Sequence, residues 1–274
     1  MLVPETVPFI SDHQRATIRT EYLPAPDHKA LAISYSRVGF ASGQVDDETA
    51  KTAALESCRR ATEAAGSKNP CRLYAVGNVV VFAGGTPPLP PAPWLVRNPA
   101  IERPFASKDF PLVTDADRAL LEKFYPNAGK SKALALSPAG SVKDIFNGSS
   151  VEDAIHRTLE ICGDSAGVAC MIVAVDDVFV VPIPVMMKVT GFFNVSAPMI
   201  PPAARDVLAR RLGNATNAWN GVAVGAGGGI GVVLNAANEE AAIRGALDDC
   251  SKQDHDCRVI ALGPFSVAPL DASK

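Results

Sequence analysis

The chain has 274 residues, 47% of them apolar and 20% charged, with a formal net charge of −3. That balance fits a globular protein of one large domain or roughly two to three small ones, and it excludes a low-complexity or strongly basic chain. It gives no broad attraction for nucleic acid or an anionic membrane surface, so neither is expected as a partner.

The opening stretch MLVPETVPFISD lacks a basic segment followed by an apolar core and does not read as a signal peptide. VPFISDHQRATIRTEYLP (7–24) predicts a short helix capped by Ser11, because a serine side chain accepts a free amide of the first turn. KALAIS (29–34) and VGFASG (38–43) then read as two short strands. Asp46 caps a helix that runs about three turns to Cys58. Within it, the residues eight, seven, four and three before the cysteine share one face with it at helical spacing. CRLYAVGN (71–78) and VVVF (79–82) supply two further strands.

Next comes GGTPPLPPAPWLVRNP (84–99), whose proline density favours an extended, stiff linker. The pattern then returns. FPLVTDADRALLEKFYP (110–126) matches 7–24, with Thr114 in the capping place, Arg118 matching Arg15 and Tyr125 matching Tyr22. KALALS (132–137), a poorer VKDIFN (142–147), a helix capped by Ser150 and ending at Cys162, CMIVAVDD (170–177) and VFVV (178–181) follow in the same order. VFVVPIPVMMKVTGFF (178–193) is interrupted by two prolines and Lys188 and falls short of the roughly 20 apolar residues of a membrane helix, so it reads as a strand and an interface segment.

A third passage runs through PPAARDVLARRL (201–212), NGVAVG (220–225), IGVVLN (230–235), the cap Asn238, Cys250, CRVIALGP (257–264) and FSVA (265–268). In all three, Leu stands three residues before the first cysteine (Leu55, Leu159, Leu247), an acid two before it (Glu56, Glu160, Asp248) and Ala eight before it (Ala50, Ala154, Ala242). The period is 103 or 104 residues between the first two passages and about 88 between the last two.

The expected fold is therefore α+β: three tandem repeats, 7–83, 109–198 and 199–274, with a proline-rich linker at 84–108. Each repeat is expected to be a small antiparallel β-β-α-β-β sheet covered by one helix and led by a short helix. Modules this small bury limited apolar surface, so they are expected to pack on one another, with 84–108 and 178–195 filling between them.

Six cysteines, two per repeat at equivalent places, point to three local disulfides: Cys58–Cys71, Cys162–Cys170 and Cys250–Cys257. A helix end and the next strand start can lie within disulfide reach. Such bonds imply an oxidising compartment, hence periplasm or secretion. The alternatives are six reduced, buried cysteines in a cytosolic protein, or a metal site. The pairs lack CxxC spacing, and no histidine recurs beside them.

The succession of KALALS, a turn, a capped helix ending in ALxxC, and CxφφAφ with φ apolar resembles a short disulfide-containing domain of secreted or periplasmic bacterial proteins, a family of uncharacterised function. The resemblance covers about 29–82, 132–181 and 220–268. It implies export and disulfides and brings no catalytic residues. The third copy departs from it by lacking Lys and Ser in NGVAVG, and the second by its weak second strand.

Other candidates for chemistry are sparse. GAGGGIG (225–231) fails the dinucleotide pattern, since Ile230 takes the last glycine position, and it lies between two strands; a hairpin turn is expected. DDCSKQDHDC (248–257) gathers four aspartates and His255 without EF-hand spacing, so a solvated loop is expected, with a divalent-cation site as alternative. Of His13, His28, His156 and His255, only His28 lies near a serine strand (Ser34), and nothing equivalent recurs. Lys29 and Lys132 recur with Glu56 and Glu160, as expected of a surface ion pair, or of a ligand-binding carboxylate. Trp94 and Trp219 read as packing residues, with stacking on a sugar ring as alternative. The expected function is a non-enzymatic periplasmic or secreted protein that binds a protein or small-molecule ligand through inter-repeat surfaces, with no cofactor or metal. The alternatives are a hydrolase with its site at a repeat junction and a divalent-metal-binding envelope protein.

Overall fold

In the computed structural model residues 1–270 are described. The last four positions of the third expected block, 271–274, lie outside them. The fold is mixed α+β, with three antiparallel sheets. The chain divides into two compact units: residues 1–90, 129–135 and 143–170 form one, and 91–128, 136–142 and 171 onward form the other. The second expected block, 109–198, contributes to both.

Helix α1 (Asp12–Thr17) starts at Ser11, whose side chain accepts from the Gln14 amide while the Gln14 side chain returns the bond to the Ser11 amide. Strands β1 (Ala30–Ser34) and β2 (Arg37–Ala41) follow, then α2 (Asp47–Ala64), capped by Asp46 at the Thr49 amide. Strands β3 (Arg72–Val76) and β4 (Val79–Val80) close a first sheet of order β2-β1-β3-β4. After β5 (Arg103–Pro104) come α3 (Asp115–Phe124), capped by Thr114, β6 (Ala133–Leu136), β7 (Val142–Ile145), α4 (Val151–Ala166), capped by Ser150, β8 (Met171–Val175) and β9 (Val178–Phe179). Their sheet has the order β5-β9-β8-β6-β7. The third comprises β10 (Lys188–Phe192), β11 (Trp219–Val224), β12 (Ile230–Ala236), β13 (Arg258–Leu262) and β14 (Phe265–Ala268) in the order β10-β14-β13-β11-β12. Helices α5 (Pro202–Leu212) and α6 (Glu239–Ser251) accompany it, and Asn238 caps α6 at the Ala241 amide.

All three sheets thus share one four-strand order, and the second and third add a strand at the edge. Those edge strands come from stretches expected to be linker or filler: β5 from 84–108 and β10 from 178–195. The phrases opening with Cys71, Cys170 and Cys257 end in tight hairpin turns whose first residue has positive φ: Gly77 (55°), Asp176 (47°) and Gly263 (54°). A positive φ at that position matches the twist of the flanking strands.

Alternation along the strands explains what the helices cover. Gly39 of β2 faces α2: a Cβ there would lie 2.1 Å from the Cys58 amide nitrogen. Ala30 and Ala32 share that side with Ala50, Ala54 and Cys58. Phe40, one residue on, points the other way and meets the Tyr22 ring at 5.8 Å, beyond α1. In the third sheet Gly221 and Gly231 lie against the backbone of α6 (2.4 Å to the Ala242 oxygen and 2.1 Å to the Ala246 oxygen from a Cβ). Val222, Val224, Val232 and Ile260 pack on the opposite side with Leu208 of α5. The expectation of one covering helix per sheet therefore falls short. Strands apolar on both faces, such as β1, buried at all five residues, need a layer on each side, and the leading helix provides the second.

The leading segments share a further device. Arg15, Arg118 and Arg205 each stand four residues after the residue preceding their helix (Ser11, Thr114, Pro201). Each donates to a carbonyl of the loop before it: Val7 at 3.2 Å, Phe110 at 2.8 Å and Ile200 at 3.3 Å.

Cys58–Cys71, Cys162–Cys170 and Cys250–Cys257 form disulfides with Cα separations of 6.1, 6.0 and 6.1 Å. No described cysteine is free. Among the described residues no helix is long and apolar enough to cross a membrane.

Candidate polar cleft

Helix α4 differs from its counterparts. Ten of its sixteen residues are buried, against four of eighteen in α2 and four of thirteen in α6. Half of the difference lies in polar residues: Asp153, Arg157, Thr158 and Glu160 are buried, against Thr62 alone in α2 and Glu239 alone in α6. A buried charge persists only when partners replace the lost water, and here they come both from α4 itself and from residues 1–90. Glu160 Oε2 accepts the Phe9 N–H at 2.7 Å and stands 3.9 Å from Arg15 Nη2, while Oε1 lies 3.3 Å from His156 Nε2. Arg157 donates to Asp153 Oδ2 at 3.2 Å and to Ser36 Oγ at 2.8 Å. Asp164 accepts from the Tyr35 hydroxyl at 2.5 Å and from both terminal nitrogens of Arg72. Burial pushes the Glu160 carboxyl up to about 7, against the Phe9 amide and the nearby arginines, which favour its ionised form. Burial first, and Arg15 second, hold the His156 imidazole below its ordinary value.

Above this layer opens a cleft of about 650 Å³, lined by Ser11, His13 and Gln14 at the start of α1, Ser36 and Arg37 at the β1–β2 turn, the segment from Asp144 to Asn147, Ser149 and Arg157. A smaller cleft of about 330 Å³ adjoins it and shares Ser36, Arg37, Asp144 and Ile145. Three features set the geometry. Ser36, at φ 63°, turns the strand sharply, and its amide donates to the Phe9 oxygen at 3.1 Å. Gln14 fixes the turn from the side, donating to the Ser36 oxygen at 3.2 Å. Arg157 supports it from below.

Several groups in the cleft are already committed: the Ser11 hydroxyl to the helix cap, and the Ser36 hydroxyl to Arg157. Others are not. Asp144 is in no ion pair among the described residues. It is accessible to water, yet the surrounding walls withdraw enough solvent to raise its carboxyl above the ordinary range; Lys143 offsets this only in part. Arg37 spends one N–H on the Ser36 oxygen at 2.6 Å and makes no ion pair among the described residues. The Nε of Arg157 is buried and without a hydrogen-bond partner among the described residues.

The residues singled out in the sequence fall elsewhere for the most part. The Lys29 ammonium is buried and donates to the Leu23 and Ala25 oxygens at 2.7 and 2.9 Å rather than forming a surface pair. Lys132 is buried at the equivalent place. Glu56, on the solvated face of α2, pairs with Arg59. The expectation of an exposed Lys–Glu pair is overturned because both lysines are buried, and the Lys29 ammonium is taken up by backbone oxygens of the segment before its strand. His28 is half exposed and 2.9 Å from Asp47, whereas the Ser34 hydroxyl donates to the Asn69 oxygen. In 225–229, the expected turn between β11 and β12, the Gly227 and Gly229 amides donate to Asp254 at 3.1 and 2.6 Å, so this aspartate of the acidic loop serves the turn. Among the described residues no group of three or more His, Cys, Asp or Glu is placed to hold a metal ion. Trp219 opens β11 and packs against the α6 side of the third sheet, while Trp94 lies in the proline-rich stretch.

A second cleft, about 590 Å³, lies along α2 beside Cys71, but its arginine is tied to Glu56 and Glu63 at 2.7 and 2.5 Å. In the cleft at Arg37 and Asp144, by contrast, both of these charged groups lack an ion-pair partner among the described residues. This cleft escaped sequence reading because VKDIFN is the poorest strand match of the three, and its residues have no counterparts elsewhere. The chain matches no family model, no curated protein and no solved structure.

Proposed function

We propose that this is an exported binding protein, built from three copies of one disulfide-tied β-β-α-β-β unit, that holds a small polar ligand in the cleft at Arg37 and Asp144. The observation that carries the reading is the pairing of a built support with uncommitted charge. Buried Arg157, Asp153 and Glu160 fix the walls, and Arg37 and Asp144 at the opening have no ion-pair partner among the described residues. Binding is favoured over hydrolysis because the Ser11 and Ser36 hydroxyls are spent on structural bonds and, among the described residues, no hydrogen bond joins Ser149, the remaining serine of the lining, to His13. The common strand order, the three matched arginines and the three disulfides support triplication. Short disulfides that engage every described cysteine support export to an oxidising compartment.

The test is a screen of small polar compounds against ¹⁵N-labelled protein. Saturable shifts centred on Ser36, Arg37, Asp144 and Ile145 are expected, and Arg37→Glu should abolish them. Shifts confined to other surfaces would refute the assignment. For export, protein recovered from the periplasm or medium should take up no alkylating agent until it is reduced; free thiols there would contradict it.

A further inference from the structure

We infer that the cleft takes a small dipolar molecule with a free ammonium and a free carboxylate, an amino acid or a peptide of two or three residues. This rests on the reading of the cleft as a binding site and names what it binds. Arg37 and Asp144 line the same two adjoining clefts. Carrying opposite charges, they do not close on each other, since neither takes part in an ion pair among the described residues. Two such charges facing one space without meeting leave room for a ligand that presents the complementary pair.

The surroundings argue against a ligand of single charge. A plain anion would meet Arg37 and His13 favourably but would confront Asp144. A plain cation would suit Asp144 but not Arg37. Arg157 does not tip the balance, because Asp153 already neutralises it. A neutral sugar would leave both charges desolvated and uncompensated, which costs affinity. A dipolar ligand answers each charge in turn. Its ammonium supplies the cation that Asp144 lacks; the raised carboxyl of Asp144 marks that want. Its carboxylate suits the guanidinium of Arg37, whose remaining N–H groups are free to make paired bonds. Asn147 and Ser149 line the same cleft and offer side-chain partners to the polar groups between the two ends. A volume of about 650 Å³ accommodates a ligand of one to three residues.

The experiment uses alanylalanine, its N-acetyl derivative and its C-terminal amide as probes, with glucose and inorganic phosphate as further arms. Each is titrated to about 10 mM into the ¹⁵N-labelled full chain with its disulfides intact. Alanylalanine should give saturable shifts at Ser36, Arg37, Asp144 and Ile145, and each capped form should bind at least about tenfold more weakly. Asp144→Asn should weaken alanylalanine while leaving the N-acetyl form no worse, and Arg37→Gln should do the same for the amide. The same spectra report whether each variant is folded, and the capped probes test the idea on the unaltered protein. Equal binding of capped and free peptides, or no saturation by alanylalanine, would overturn the inference. If glucose or phosphate saturates the same amides while alanylalanine does not, the cleft stands as a binding site and the dipolar ligand falls. If none of the five does, both fall.

Discussion

Glu160→Gln asks whether the buried acid beneath the cleft is neutral or ionised at physiological pH. Its side chain is 8% exposed, accepts the Phe9 N–H and has Arg15 at 3.9 Å. If the arginines dominated, the carboxyl would titrate low; burial instead raises it from 4.5 to about 7. The native state then holds a proton that the unfolded chain has released between those values. Folding stability therefore falls as pH rises from 4.5 to 7, by about 3 kcal/mol. Glutamine imitates the protonated acid, keeps an acceptor for Phe9 and does not titrate. The stability of the variant relative to the parent should thus rise by about 3 kcal/mol between about pH 5 and pH 8. His156, held below its ordinary value, acts in the opposite sense but is present in both proteins. Urea denaturation at constant ionic strength measures the difference. A flat difference, or a variant that loses ground as pH rises, would mean that Glu160 is an ion held by Arg15 and Arg157, and would refute the reasoning.

Other substitutions probe the scaffold. Gly39→Ala and Gly231→Ala place a Cβ within 2.1 Å of helix backbone and should each cost about 2–3 kcal/mol in chemical denaturation, whereas Gly191→Ala, with nothing within 4 Å, should have little effect. Replacing Cys162 and Cys170 together by serine opens a loop of sequence separation 8 and should lower stability by about 2–3 kcal/mol, read as a fall in Tm. Asp254→Ala should speed amide exchange at Gly227 and Gly229 while leaving Val222, paired with a strand on each side, protected.

The caps, the alternating strands and the cysteine pairs were legible because each is a local rule. Ser11, Asp46, Thr114, Ser150 and Asn238 all act on the amide three residues ahead. Lys29 and Glu160 were not legible. A recurring charged residue looks solvated in sequence, and only the chain's path shows that the Lys29 ammonium lies under backbone oxygens. The acid two residues before the first cysteine makes the same point: Glu56 pairs with Arg59 on an exposed face, while Glu160 is buried against Phe9. The edge strands β5 and β10 were missed because they are recruited by exposed sheet edges rather than by their own periodicity. The cleft was hidden for a related reason, since it joins residues more than a hundred positions apart, as in the Arg157–Ser36 bond.

The polar face that α4 turns toward residues 1–90 also bears on how the chain can be taken apart. Three sheets that share a four-strand order invite excision of the first for separate expression. Residues 1–83 alone would expose the Phe9 amide, the Tyr35 hydroxyl and the Arg72 guanidinium, which Glu160 and Asp164 otherwise engage. Because one helix supplies these partners, a fragment meant to fold alone should include residues 143–170 as well.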